Sequence, residues 1–410
     1  MKSQMSEQEQ KYKETELGLL PTEWEVAKLG EVMSEVDLRL SNSGFDESEL
    51  EVLSLTRKFG LIPQNERFIH RIATKSVKKY EVVKKGQIVY NPYVIWEGAI
   101  HSLKKFRAGI VSPVYLVWET KINCEWQYLD NLLRTEYMLK EYSKYSSGAV
   151  NRRRSIKKTL FVDIKIPLPP FQEQKNIALV LSKIQDAKEK TEAVLNSLKE
   201  LKKSLMKHLF TYGAVSFEEA DKVKMKETEI GEVPDHWVIK KMIDFATFQR
   251  GKDLPKSKQR DGNYPVVGSG GVIGYHDKFV CEGPGLVTGR SGSIGTLTYV
   301  EGRYWPHNTG LYAKDFHSNH PKYVYYFLHS FNFKKYATGV SVPTLNRNFI
   351  HSELVKVPPV TEQEHIASIL SAVDAKIGTE EMTKESLNQL FKSMLCNLLS
   401  AKIRVNILET

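Results

Sequence analysis

Four clusters of residues have the types and spacing to do chemistry. Gly289 to Gly295 reads Gly-Arg-Ser-Gly-Ser-Ile-Gly, with the glycine density of a phosphate cradle. It lacks the Gly-Lys-Ser/Thr ending, however, and runs into the strand-like Thr296 to Val300 instead of a helix N-terminus. Asn91-Pro92-Tyr93-Val94, after the apolar Gln87 to Tyr90, has the residue types of a turn that grips a flipped base. No glycine-rich loop between a strand and an acidic residue accompanies it to seat a nucleotide cofactor, so a strand-ending turn is the simpler reading. His317 and His320 could form a metal pair, but His329 and Cys281 supply no ligand spacing around them, which favours a solvated loop. Arg152 to Lys158, Arg-Arg-Arg-Ser-Ile-Lys-Lys, places five basic residues in seven beside Asn151. A charge run is ordinarily a solvated face, yet asparagine and arginine together suit base edges and phosphates.

Composition agrees with a polyanionic partner without requiring one. The chain has 410 residues, with 59 Lys plus Arg against 49 Asp plus Glu, a formal net charge of +10 and a sequence pI near 9.1. A 41% hydrophobic, 26% charged composition can bury two ordinary cores. No run approaches the 18 or so apolar residues that a membrane span needs, and the polar start predicts no signal peptide, so a cytoplasmic protein is expected. Cys124, Cys281 and Cys396 are too dispersed for a disulfide framework or a structural zinc site.

The elements that must position these clusters occur twice. Thr15 to Val32 returns as Thr228 to Phe245 at an offset of 213, matching Gly18, Pro21 and Trp24 to Gly231, Pro234 and Trp237. Ile166 to Ile184 returns at an offset of 189, with the pair Glu362-Gln363 in the place of Glu173-Gln174. A period near 200 residues predicts two domains, each with its own core, and not a solenoid. After each Pro cluster a heptad seam begins. It runs Ile177, Leu181, Ile184, Lys188, Thr191, Leu195, Leu198, Lys202, Leu205, Leu209, and 189 residues later Ile366, Leu370, Val373, Ile377, Glu380, Lys384, Leu387, Phe391, Met394, Leu398. The matched seams predict two long helices paired antiparallel, with Thr191 and Glu380 as register-setting polar positions near the middle.

The unequal offsets put the length difference inside the regions before the helices. There, short strands, Gly-rich turns and one or two helices predict mixed α+β domains without βαβ alternation. The expected division is a tail at 1–14, a first domain at 15–165, a first repeat helix at 166–212, a linker at 213–227, a second domain at 228–357, a second repeat helix at 358–404 and a tail at 405–410. The fold class is α+β: two mixed domains joined by an antiparallel coiled coil, with pseudo-twofold internal repeat.

This order resembles the specificity subunit of type I restriction-modification enzymes: a Pro-x-x-Trp opening (Leu-Leu-Pro-Thr-Glu-Trp, Glu-Val-Pro-Asp-His-Trp), a variable domain, and a Pro-Pro-x-x-Glu-Gln helix start, twice over. The resemblance covers nearly the whole chain. It implies two target recognition domains, a non-catalytic chain that binds double-stranded DNA at an asymmetric bipartite target, two methyltransferase subunits and two motor-nuclease subunits. S-adenosylmethionine, ATP and magnesium would belong to those partners, with no metal or cofactor on this chain. The second half carries the family's commonest recognition pattern in Gly-Ser-Gly-Gly, Gly-Arg-Ser-Gly-Ser and Ser-Val-Pro-Thr-Leu-Asn-Arg-Asn; the first half departs from it. Candidate DNA-binding residues are Arg57, Lys58, Asn91, Tyr93, Asn151, Arg152, Arg153 and Arg154 in the first domain, and Lys252, Ser269, Arg290, Ser291, Asn346 and Arg347 in the second. The competing expectation is a stand-alone DNA methyltransferase or nuclease with its own active site.

Overall fold

The computed structural model describes residues 11–67, 76–147, 154–339 and 343–405. Two compact units divide the chain, the first comprising 1–190 with 384–410 and the second comprising 191–383. Each long helix contributes to both units. The first runs Phe171–Tyr212 and the second Val360–Leu399, 42 and 40 residues, about 60 Å each at 1.5 Å per residue. Residues Lys165–Leu168, expected in the first repeat helix, pair instead as a strand.

The repeat seen in the sequence is a repeat of topology. Both units hold a four-stranded antiparallel sheet in which chain-order strands lie first, fourth, second, third. In the first unit these are Met33–Val36, Leu116–Thr120, Ile88–Tyr90 and Ile100–Ser102. In the second they are Thr247–Arg250, Gly310–Asp315, Gly285–Gly289 and Leu297–Val300. A short antiparallel pair closes each unit, Glu25–Lys28 on Lys165–Leu168 and Val238–Lys241 on Leu354–Val357. The helix expected near Tyr128 to Tyr145 is two helices, Trp126–Leu132 and Glu136–Tyr145, the second started by Thr135, whose hydroxyl accepts from Met138 N. Its counterpart is Pro321–His329.

The duplicated Glu-Gln pair is a latch. In the first unit the carboxylate of Glu173 accepts from the indole of buried Trp24 at 2.9 Å. In the second Glu362 accepts from Trp237 at 3.1 Å. The adjoining glutamine fastens the helix start to the domain. Gln174 accepts from Glu125 N and donates to the carbonyls of Asn123 and Pro169; Gln363 accepts from His320 N and donates to Asn319 Oδ1 and the carbonyl of Pro358. Prolines precede each helix because Pro170 and Pro359 need only accept, from Gln174 N and Gln363 N. Gly18 and Gly231, at φ +96° and +93°, turn the chain just before each tryptophan, in a conformation that favours glycine.

The Glu of each latch also receives the chain leaving the opposite helix. Arg404, beyond the second helix, pairs with Glu173 at 2.6 Å and with Glu23 at 2.7 Å, while Ala214 N, beyond the first helix, donates to Glu362 at 3.1 Å. Every seam position is buried or half-buried. In the first unit Ile177, Leu181 and Leu398 share one core, and Lys188 lies 4.8 Å from the Phe391 ring. In the second, Lys199 pairs with Glu381 and Lys202 with Asp374. Partner numbers fall as residue numbers rise, so the helices run antiparallel within each unit. Thr191 is buried as expected of a polar seam position, whereas Glu380 is taken by Lys376 of its own helix at 2.7 Å.

Candidate nucleic-acid interface

The candidates of the second unit converge on the segment Pro306 to Gly310. Thr309 Oγ1 accepts from Ser269 N at 3.2 Å, and its carbonyl accepts from Arg290 N at 2.9 Å and Ser291 N at 3.3 Å. Lys252 N donates to Pro306 and Gly251 N to Gly310. The carbonyl of Arg290 accepts from Leu345 N at 2.8 Å, which joins the Asn346-Arg347 turn to the same cluster. Asn346 caps the short helix Arg347–His351 by accepting from Asn348 N, so its carboxamide oxygen is already engaged. The glycines here are packing requirements: a Cβ at Gly289 would overlap the carbonyl oxygens of Ser293 and Ser269, and one at Gly251 those of His307 and Pro306.

Charge in this cluster is uncompensated. Burial lowers the Arg290 pKa from its ordinary value, and the neighbouring Arg250 lowers it further. Among the described residues neither of these guanidiniums, nor Lys252 nor Arg347, forms an ion pair. Two arginines placed side by side with no carboxylate present a matched pair of donors to an anion. Arg250 was absent from the residues chosen on sequence. Its position at the last residue of the strand Thr247–Arg250, before a glycine that tolerates no side chain, is the signal that could have found it.

In the first unit the candidates gather on the segment 91–97, with more of their polar capacity already spent. Asn91 Oδ1 accepts from Tyr93 N at 3.0 Å, the Tyr93 carbonyl accepts from Trp96, and the Tyr93 ring is half exposed. Arg57 pairs with Glu97. Arg154 stacks over Trp96 at 5.3 Å and donates to the Ser143 carbonyl and hydroxyl, so it ties its loop to the helix Glu136–Tyr145. Lys58 is exposed beside Phe59. Asn151, Arg152 and Arg153 lie outside the described residues. Behind the cluster sits a buried acid: burial opposes the charge of Asp130, but Arg134 and Lys104, each at 2.8 Å, hold its carboxyl well below the usual carboxylate range. His101, pushed down to about 4 by burial and then by Arg134, is neutral and bonds the Arg57 carbonyl at 3.1 Å.

The other clusters have structural roles. Gly289 to Gly295 connects two strands and precedes no helix. Asn91 to Val94 is a strand-ending turn. His320 caps the helix Pro321–His329, His317 Nε2 lies 2.7 Å from the Thr247 hydroxyl, and no group of three or more metal-binding side chains occurs among the described residues. Among those residues, too, no helix is long and apolar enough to cross a membrane.

Comparison with known proteins places this architecture. Residues 21–200 and 234–389 each match the type I restriction modification DNA specificity domain. The MjaVIII type I restriction enzyme specificity subunit of Methanocaldococcus jannaschii is 27% identical over 435 residues, covering 97% of both chains. The MjaIX specificity subunit of the same organism is 26% identical over 268 residues, covering 60% of this chain and 57% of that one. In fold, the chain is similar to the crystal structure of the type I restriction-modification S subunit from M. genitalium, with a TM-score of 0.63 at 13% identity, covering 94% of this chain and 96% of that one. With the family domain present once in each repeat, this chain belongs to the type I restriction-modification specificity subunits.

Proposed function

We propose that this chain is the sequence-reading subunit that directs adenine-methyltransferase and motor-nuclease subunits to an asymmetric, bipartite DNA target. The observation that carries this reading is the pairing of identical strand order with different loop chemistry: the second unit offers unpaired arginines around Thr309, and the first a turn at 91–97 edged by Lys58 and Tyr93. Two readers of unlike chemistry specify two unlike blocks, and the matched helices set the unspecified gap between them. Arg290, with Arg250 beside it, is suited to bidentate recognition of guanine or phosphate, and Ser269, Ser291, Asn346 and Arg347 frame it. Phosphate contacts from Lys58, Lys252 and the segment Asn151 to Arg153 would fix register without reading sequence.

Two methyltransferase and two motor-nuclease subunits fit a chain with an internal repeat. S-adenosylmethionine, ATP and magnesium act on those partners, and this chain contributes recognition and not catalysis. Mapping methylated adenines in the host genome with and without this gene tests the reading: one bipartite motif should lose methylation on deletion, and an unchanged map would sink it. The family match disfavours a stand-alone methyltransferase or nuclease. Methyl transfer or cleavage by the purified chain alone would restore that alternative.

A further inference from the structure

We propose that Phe59 is a wedge that enters the base stack, so that the first unit reads part of its block through the ease with which one base step opens. The inference rests on the DNA-reading function above and assigns a mode of recognition to one element of it. The strands Leu53–Thr56 and Gly60–Pro63 pair with Thr56 opposite Gly60, leaving Arg57, Lys58 and Phe59 as the tip. Phe59 is 69% exposed, more than any other aromatic side chain among the described residues.

That exposure is built and held. Thr56 Oγ1 accepts from Phe59 N at 2.9 Å and donates to the Gly60 carbonyl at 3.0 Å. Gly60 adopts φ +73° against the His101 ring, His101 bonds the Arg57 carbonyl, and the Arg57 guanidinium is pinned by Glu97. A phenylalanine that loses its freedom without gaining burial is poised for a partner. Lys58 Nζ, 5.3 Å from the ring centroid and in no ion pair, gives that partner an anionic border. An apolar wedge with a cation beside it matches a base step flanked by phosphates.

The second unit supplies an internal comparison. Its hairpin Tyr264–Gly268 with Gly271–His276 occupies the same place, between the first and second chain-order strands of the sheet. Its tip is Ser269 and Gly270, with neither ring nor cation. The wedge is therefore a property of one reader, and step opening should occur in one block only.

The test uses this chain assembled with its methyltransferase partner and a duplex bearing the motif found by methylation mapping. 2-Aminopurine replaces each base of the two blocks in turn, except the adenines that become methylated. The expected result is a several-fold fluorescence rise at one step of one block, abolished in Phe59→Ala, retained in part in Phe59→Leu, and accompanied by about tenfold weaker binding of Phe59→Ala. Lys58→Ala should weaken binding and reduce its salt dependence while leaving the rise intact. Normal binding with no bright position, and Phe59→Ala within twofold of wild type, overturns the wedge alone. A wild-type complex that does not select the motif overturns the DNA-reading function and the wedge with it. Loss of partner subunits from Phe59→Ala, with unaltered fluorescence in whatever complex remains, would make the ring a protein contact and also overturn the wedge.

Discussion

Replacing Arg290 by Ala separates the two ways a guanidinium meets DNA. The backbone of Arg290 is fixed by Thr309 and Leu345, so the substitution should remove the side chain and leave the turn in place. A bidentate arginine–guanine pair is worth about 1–3 kcal/mol, or roughly 5- to 150-fold in affinity. Some of this is offset because the substitution also relieves the repulsion from Arg250, so a loss of about tenfold is expected. Binding titrations of the assembled complex, on cognate and singly substituted duplexes over a range of salt, supply the assay. If Arg290 reads a base, discrimination flattens at one position of one block and the slope of log K against log salt is unchanged. If it holds a phosphate, all duplexes weaken alike and the slope falls by about 0.9. Cognate affinity within twofold, with discrimination and slope both intact, refutes the assignment. Arg250→Ala should be non-additive with Arg290→Ala, since the two charges are neighbours.

Three further predictions concern the frame. Glu173→Ala strands the buried Trp24 indole and releases the quarter-exposed Arg404, so urea unfolding should show about 2–4 kcal/mol of destabilisation, with lost amide protection concentrated in the first unit; a change under about 0.5 kcal/mol would contradict the latch. His101 has a folded pKa of about 4 against an ordinary value of 6.5. Its stabilising contribution is therefore present above about pH 6.5 and falls away as the pH drops toward 4, by about 3 kcal/mol in all; His101→Asn should flatten the profile of stability measured across that window. One extra heptad in each long helix, after Lys190 and after Thr383, adds about 10 Å and should widen the methylated motif's gap by about three base pairs with both blocks unchanged; an altered block would show that the helices do more than space the readers.

The helices were legible because their evidence is redundant. Heptad spacing, duplicated length and Pro-rich starts all point the same way, and each seam residue found a partially or fully buried place. Trp24 and Trp237 were visible as repeated residues, but their bond to Glu173 and Glu362 was not, since nothing local marks a contact between residues 149 and 125 apart in sequence. The order of strands was hidden for the same reason. Strands of three to six residues with first-fourth-second-third pairing leave no periodic trace of which edges meet. In the interface, charge density misled where geometry decides. Arg154, chosen from a basic run, turns inward onto Ser143 and Trp96, while Arg250, with no other arginine near it in sequence, stands beside Arg290.

The second unit is one continuous stretch, 191–383, whereas the first is assembled from segments on either side of it. Leu398, Leu399 and Ala401 complete the first unit's core, and Arg404 closes on Glu173. During synthesis, then, the half of the protein made first must wait for nearly the last residues made, while the nested half can fold in between. A stop codon a few residues early would therefore wound the N-terminal reader, the one farthest from it in the gene.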